Sequence, residues 1–481
     1  MARDPPGYPA PMPVGLRPSP SLALEVSPSV DPLAALAGLP GAFALRSSLP
    51  DAGAPVRRAR WSFFGAEPFA SFREPEEAMA AWRACAAGEQ DVDSLARSLG
   101  VPFTGGAVGY WAYDYGRRLE RLPELARDDV SLPDLVLSLY DVVVARDEDT
   151  GRTFVFSSGL PAPADQRARR GRERLDAFRA RLESPAPPRD ALPPAPAMLR
   201  ATSTFAREGY LRAVEAVRDA IARGDIFQAN LSQRWTLPMR DAHAHALALD
   251  QALRRHTPSP FAATLGFSDH AVLSASPELF LRRRGAQVET RPIKGTRPRG
   301  ASAAEDERLA AELQASAKDR AENVMIVDVL RNDLGRVCET GSVGVPQLCA
   351  LERFPQVWHL TSTVTGRLVE TAGPFELLHA CFPGGSITGA PKIRAMELLE
   401  SIEPVRRHVY TGAIGWIGWN GDADWNLAIR TATATPSAIH WSAGGGITGD
   451  SDPEAEYRES LAKAEGLRLA LASVYGELAL E

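Results

Sequence analysis

An α+β fold is what this sequence predicts, on three observations. Short apolar and aromatic runs broken by glycine and charged turns recur at Trp61–Phe64, Gly105–Tyr110 and Leu135–Tyr140, the signature of a sheet-rich region. Helical patterns with explicit start signals punctuate the second half, at Ser316 and at Asp452-Pro453. The 481 residues also exceed the ~250 to 300 at which a single core stops growing, so two lobes or one large two-layer core are expected.

Taken in order, residues 1–20 read as a proline-rich arm. Pro5, Pro6, Pro9, Pro11 and Pro13 stand where a secretory leader would need an apolar core. Residues 21–183 hold the sheet-like runs and close on an arginine-rich helical stretch, Pro163 to Glu183, whose charges fit a solvated face. Pro185, Pro187, Pro188, Pro193, Pro194 and Pro196 exclude a regular helix or central strand across 184–200 and mark a linker. In the remaining 201–481, Leu211, Val214, Val217 and Ile221 give helical spacing from Tyr210 to Arg223, closed by Gly224 at the C-cap, and a strand follows from Phe227 to Trp235.

Composition excludes several classes. Hydrophobic residues make up 44% and charged residues 24%, the profile of a soluble globular chain. A net charge of −6 lacks the basic field that a nucleic-acid partner requires, though an anionic small molecule can still find a local basic pocket. Cys85, Cys338, Cys349 and Cys381 are scattered without zinc spacing, which points to buried thiols, no disulfides and a reducing compartment. No apolar run approaches the ~20 residues of a spanning helix, and a cytoplasmic location is expected.

The chemistry-bearing stretch is Thr290-Arg291-Pro292-Ile293-Lys294-Gly295-Thr296, where proline and glycine punctuate the backbone around one lysine. Ser276-Pro277-Glu278 lies upstream, so a carboxylate and a lysine flank one short hairpin. Lys294 is the candidate nucleophile; a solvated turn lysine is the competing reading. Ser316 three residues before Asp319 is a capping signature and opens a helix that sets Asp319 and Glu322 one turn apart. Asp452 and Pro453 open a second helix carrying Glu456, Glu459 and Lys463 along one face. Carboxylates so paired suit a hard cation such as Mg2+, although either pair taken alone reads first as a solvated helix face. Phe382 to Lys392 lacks the Lys-Ser or Lys-Thr of a nucleotide loop. Gly444, Gly445 and Gly446 let backbone approach a carboxylate or form a tight turn, and Arg430 at a strand end can clamp a carboxylate.

Together these segments resemble the chorismate-utilising enzymes, from about residue 205 to the C-terminus. The resemblance rests on Ser276-Pro277-Glu278, Lys318 to Asn323, Ile326 to Asp333, Phe382 to Lys392 and Ala443 to Gly446, with a weaker match through Gly105-Gly106 and Tyr113-Asp114. It implies two large antiparallel sheets packed orthogonally, helices outside, and a site in the cleft between them. Anthranilate-forming members carry alanine where this chain has Lys294, and aminodeoxychorismate-forming members carry lysine. Isochorismate- and salicylate-forming members have a lysine base where this chain has Gln228. The resemblance therefore implies amination of chorismate to 4-amino-4-deoxychorismate, toward p-aminobenzoate and folate. Formation of anthranilate, or a non-catalytic chorismate-binding role, is the alternative.

The same resemblance implies roles for single residues. Mg2+ would be held by Glu322 and Glu459, with Asp319 and Glu456 acting through water. Lys294 would add to the ring as Glu278 protonates the departing hydroxyl. Tyr410 and Arg430 would take the enolpyruvyl carboxylate, Ser386 with Gly444, Gly445 and Gly446 the ring carboxylate, and Lys463 would neutralise nearby charge. His359 would lie near the ring or serve as a structural histidine. To attack, Lys294 must lose its proton, which requires burial or pressure from Arg291 and Arg297. No Gly-x-Cys-x-Gly elbow is present, so ammonia would come from a separate glutaminase subunit. The family's N-terminal amino-acid pocket, which takes tryptophan, would involve Ser47, Pro260 and Phe261. Arg46 replaces its acidic residue, which argues against tryptophan binding.

Overall fold

The computed structural model describes residues 22–47, 60–87, 94–184, 198–354 and 357–481. The expected arm at 1–20 and most of the expected linker, 185–197, lie outside them. Two sheets organise the described chain, as the α+β expectation requires. The thirteen-stranded sheet runs Leu22–Val26, Thr153–Ser157, Val142–Asp147, Trp61–Gly65, Phe43–Arg46, Phe261–Gly266, Ala271–Ser276, Thr431–Ala434, Ala438–Ile447, Gln228–Pro238, Leu199–Ser203 and Leu478–Leu480. Gly389–Ala390 adds beside Gln228–Pro238. The ten-stranded sheet runs Ile293–Pro298, Val357–Arg367, Gln287–Arg291, Leu279–Arg284, Ala423–Leu427, Ala413–Gly418, Gly106–Trp111, Leu135–Tyr140 and Ala70–Phe72, with Gly344–Arg353 beside Val357–Arg367. Neighbouring strands pair antiparallel; Leu478–Leu480 on Leu199–Ser203 is the parallel exception. Both sheets draw strands from either side of residues 184–200.

Side-chain alternation explains how the sheets stack. In Leu135–Tyr140, Leu135, Leu137 and Leu139 enter one apolar core, while Val136 and Tyr140 enter another. The second core also holds Phe43, Leu45 and Phe63 from the larger sheet and Ile414 and Trp416 from the smaller, so it lies between the two. Phe63 meets Trp416 edge-on at 5.9 Å across that boundary. Both faces of these strands are covered, which is why every residue of Leu135–Tyr140 is buried.

Local capping sets the two helices that matter most. Ala317–Gly335 starts where Ser316 accepts the Asp319 amide at 3.2 Å, and Pro453–Tyr475 where Asp452 accepts the Ala455 amide at 2.8 Å with proline at the first turn. Arg207–Ala222 is followed by Gly224 at φ 80°, as its sequence pattern implied. The Ala164–Glu183 helix departs from expectation. Its arginines are not all solvated: Arg167 is buried, and Arg174 donates from Nε to buried Asp141 at 3.0 Å. Among the described residues no helix is long and apolar enough to cross a membrane, and all four cysteines are free and buried.

Candidate active site

A break in strand pairing presents Lys294. Ile293 lies opposite Thr361 and Thr296 opposite His359, so three steps on one strand face two on the other and Lys294-Gly295 forms a bulge. Gly295 has φ 79°, and a Cβ there would stand 2.9 Å from Leu313 Cδ1 and 3.0 Å from Asp319. Glycine is required both for the left-handed backbone and for the space. Leu279–Arg284 and Gln287–Arg291 form the expected hairpin with Leu279 opposite Arg291, so Glu278 and Lys294 emerge at the same end of it.

Lys294 Nζ donates to Glu322 Oε1 at 2.8 Å, and Gln228 Nε2 donates to the same oxygen at 2.7 Å. Both members of the ion pair are largely buried, with side chains 10% and 13% exposed. Burial alone would push the Glu322 carboxyl up. Lys294, Gln228 and Lys463 outweigh it and hold the group below its usual range. The arginines expected to press on Lys294 are engaged elsewhere. Arg291 meets Glu352 at 2.7 Å, and Arg297 meets Glu312 at 2.8 Å and Asp319 at 3.2 Å. The charge facing Lys294 is a carboxylate.

Glu278 is 6% exposed and accepts from Ser386 Oγ at 2.7 Å. Burial pushes its carboxyl up to about 7, against the pull of the Ser386 hydroxyl and the Lys294 charge. It is therefore an acid that still carries its proton near neutrality. His359 is buried and shares a hydrogen bond of 2.9 Å with Thr296 Oγ1. Burial, with Arg430 nearby, lowers it to about 3, so its imidazole is neutral through the working range.

Backbone glycine shapes the rest. A Cβ at Gly446 would lie 2.2 Å from Gln228 Nε2 and 2.5 Å from Glu322 Oε1; one at Gly445 would lie 3.0 Å from Glu456 Oε2 and 3.6 Å from Glu459 Oε1. Lys463 Nζ reaches Gly444 O at 3.0 Å and Glu459 at 2.7 Å. Thus Glu322 and Glu459, each covered by a lysine, meet a bare glycine ridge, and Glu456 joins them. Glu456 is buried, accepts from Ser451 Oγ at 2.6 Å, and burial raises its carboxyl. Asp319 instead turns to Arg297. Among the described residues no three His, Cys, Asp or Glu side chains form a ready-made metal cluster. Oxygen donors from two helices over glycine fit Mg2+, which takes one or two protein carboxylates and completes its shell with water and substrate oxygens.

Arg430 has φ 51°, and among the described residues no carboxylate lies within ion-pairing distance of its guanidinium, which burial destabilises. A desolvated guanidinium without a carboxylate partner among the described residues is chemically suited to take an anion. Tyr410 is half-buried between His408 at φ 51° and Thr411 at φ 61°. Sequence reasoning missed Asn230, Glu403 and Arg407, which tie these segments together.

Ser47, Pro260 and Phe261 line a separate cavity of about 380 Å3 between the sheets, with Trp61, Phe63 and Trp416. Arg46, also in its wall, pairs with Asp250, which takes Thr264 Oγ1 at 2.5 Å.

The sequence profile of the chorismate binding enzyme family matches residues 55–468. The chain belongs to that family. Within it, aminodeoxychorismate synthase component 1 of Escherichia coli (strain K12) is 43% identical over 366 residues, 76% of each chain. Anthranilate synthase component 1 of Thermus thermophilus is 43% identical over 372 residues, 77% of this chain and 78% of that one. The crystal structure of anthranilate synthase component I from Streptococcus pneumoniae superposes with a TM-score of 0.73 at 29% identity, covering 87% of this chain and 95% of that one. Equal identity to relatives of two names means that overall likeness does not select a reaction; single site residues must.

Proposed function

We propose that this chain aminates chorismate at C4, forming 4-amino-4-deoxychorismate for p-aminobenzoate and folate synthesis, with ammonia delivered by a separate glutaminase subunit. The observation that carries the reading is Lys294, set on a bulge, bonded to Glu322 and within electrostatic reach of the protonatable Glu278. The partner is supported by the word component in the relatives' names. Anthranilate formation is the second reading, favoured by the Thermus relative and opposed by Lys294.

Arg430 and Tyr410 would hold the enolpyruvyl carboxylate, and Ser386 with the Gly444–Gly446 amides the ring carboxylate. Mg2+, held by Glu322 and Glu459 with Glu456 close by, would supply a Lewis-acidic anchor for that ring carboxylate. Lys294 first yields the proton it shares with Glu322; its Nζ then adds to C2 as the C4–O bond breaks, and Glu278 gives its proton to the departing hydroxide, which leaves as water. Ammonia then attacks C4 and the C2–N bond breaks, returning Lys294 as a free amine. The proton shed by the new ammonium goes back to Glu278. Neutral His359 contributes no charge and braces Thr296 beside the bulge.

Purified protein with chorismate, Mg2+ and ammonium is expected to consume chorismate, and to stop when either Mg2+ or ammonium is omitted. No turnover, even with a glutaminase partner, would favour a non-catalytic binding role. Gly446→Ala is expected to lower kcat/KM for chorismate by about a hundredfold, because the new methyl displaces Glu322 and Gln228 together; steady-state kinetics read this directly. Tryptophan is expected not to bind tightly, since its ammonium group would meet Arg46, and the acid in the cavity wall, Asp424, is already engaged by Arg282 and Arg284. Calorimetry showing micromolar affinity would refute that expectation.

A further inference from the structure

Arg407 uses every N–H it has, and all of them on protein. Its side chain is 4% exposed and its guanidinium stacks 4.6 Å over the ring of Tyr113. Nε and Nη2 grip the two Glu403 oxygens at 2.7 Å each; the other Nη2 hydrogen reaches Asn230 O at 2.5 Å, and Nη1 serves Ile387 O at 3.1 Å and Thr411 Oγ1 at 3.4 Å. A guanidinium has five N–H groups, so none remains for a ligand. Glu403 is fixed in turn by the amide and hydroxyl of Ser232, both at 2.8 Å.

The acceptors belong to three separate segments of the site. Asn230 stands two residues past Gln228, Ile387 adjoins Ser386, and Thr411 adjoins Tyr410. Asn230 closes the circuit by donating to the Ser386 carbonyl at 2.5 Å. Left-handed backbone at His408 and Thr411, on either side of Tyr410, persists only where surroundings over-determine it. The fork of Arg407 supplies that constraint, which a lysine point charge cannot.

We propose that the Glu403–Arg407 pair is a positioning device that fixes the spacing between Tyr410 and Ser386, and through them the pose of a substrate held by two carboxylates. This rests on the reading of Tyr410 and Ser386 as chorismate contacts. The pair touches no substrate; it sets the distance between the two residues that do.

Steady-state kinetics on Arg407→Lys, Tyr410→Phe and the double variant test the proposal, with near-UV circular dichroism confirming the fold of each. Arg407→Lys is expected to raise KM for chorismate by about tenfold to a hundredfold, a larger change than the fall in kcat. In the double variant the KM rise should not exceed that of Arg407→Lys alone, because the arginine acts through Tyr410. Independent, multiplying effects would overturn the positioning role, as would an unchanged KM in Arg407→Lys. If Arg407→Lys does not fold, Ser232→Ala removes one donor to Glu403, and the same non-additivity with Tyr410→Phe is expected. An unchanged KM in Tyr410→Phe would overturn the substrate-contact reading and the positioning proposal with it. A raised KM there beside additive effects would overturn the positioning proposal alone.

Discussion

Lys294→Ala is expected to lower aminodeoxychorismate formation by about three orders of magnitude or more, within the range seen when a covalent nucleophile is removed. KM for chorismate should change little, because the proposed carboxylate contacts, Arg430 and Tyr410, lie on other segments. The alanine also deprives Glu322 of its cation, leaving Gln228 as its remaining donor. Lys294→Arg separates the two effects. It keeps a positive charge beside Glu322 but offers no nucleophile, since a guanidinium stays protonated. Both variants should therefore be inactive. Substantial amination by Lys294→Arg would mean that charge, not covalent attack, is what position 294 supplies.

Glu278→Gln is expected to cost about 10^2 to 10^4 in kcat, the usual worth of a placed general acid. The pH profile carries the sharper test. Burial raises the Glu278 carboxyl to about 7, well above the usual carboxylate range near ~4.3. A raised value means that the proton is retained below about 7 and lost as pH climbs through it. At constant free ammonia, kcat/KM should thus fall above about pH 7, approaching about tenfold per pH unit. Glutamine cannot ionise, so the descending limb should vanish in Glu278→Gln. A limb that survives unchanged belongs to another group.

Features encoded within a few residues were legible in the sequence. The starts at Ser316 and Asp452 are side-chain caps to amides three residues on, and Gly224 closes its helix by its own backbone freedom. The short apolar runs that form strands at Trp61–Gly65 and Leu135–Tyr140 are equally local. What depends on a partner far along the chain was not legible. The Lys294 bulge is a mismatch between two strands and appears in neither alone. Arg291 and Arg297 looked like neighbours of Lys294 because they adjoin it in sequence, yet Glu352 and Glu312 engage them. Glu403 and Arg407, four residues apart, have the spacing of an exposed helical ion pair. Only the fold buries them beneath Ser232, Asn230 and Ile387.

Product identification tests C4 amination most directly. Wild-type protein would be incubated with chorismate, Mg2+ and ammonium, and the mixture resolved by chromatography with mass detection. Aminodeoxychorismate is the expected product; fluorescent anthranilate in its place would contradict C4 amination through Lys294 and move the chain to the second reading.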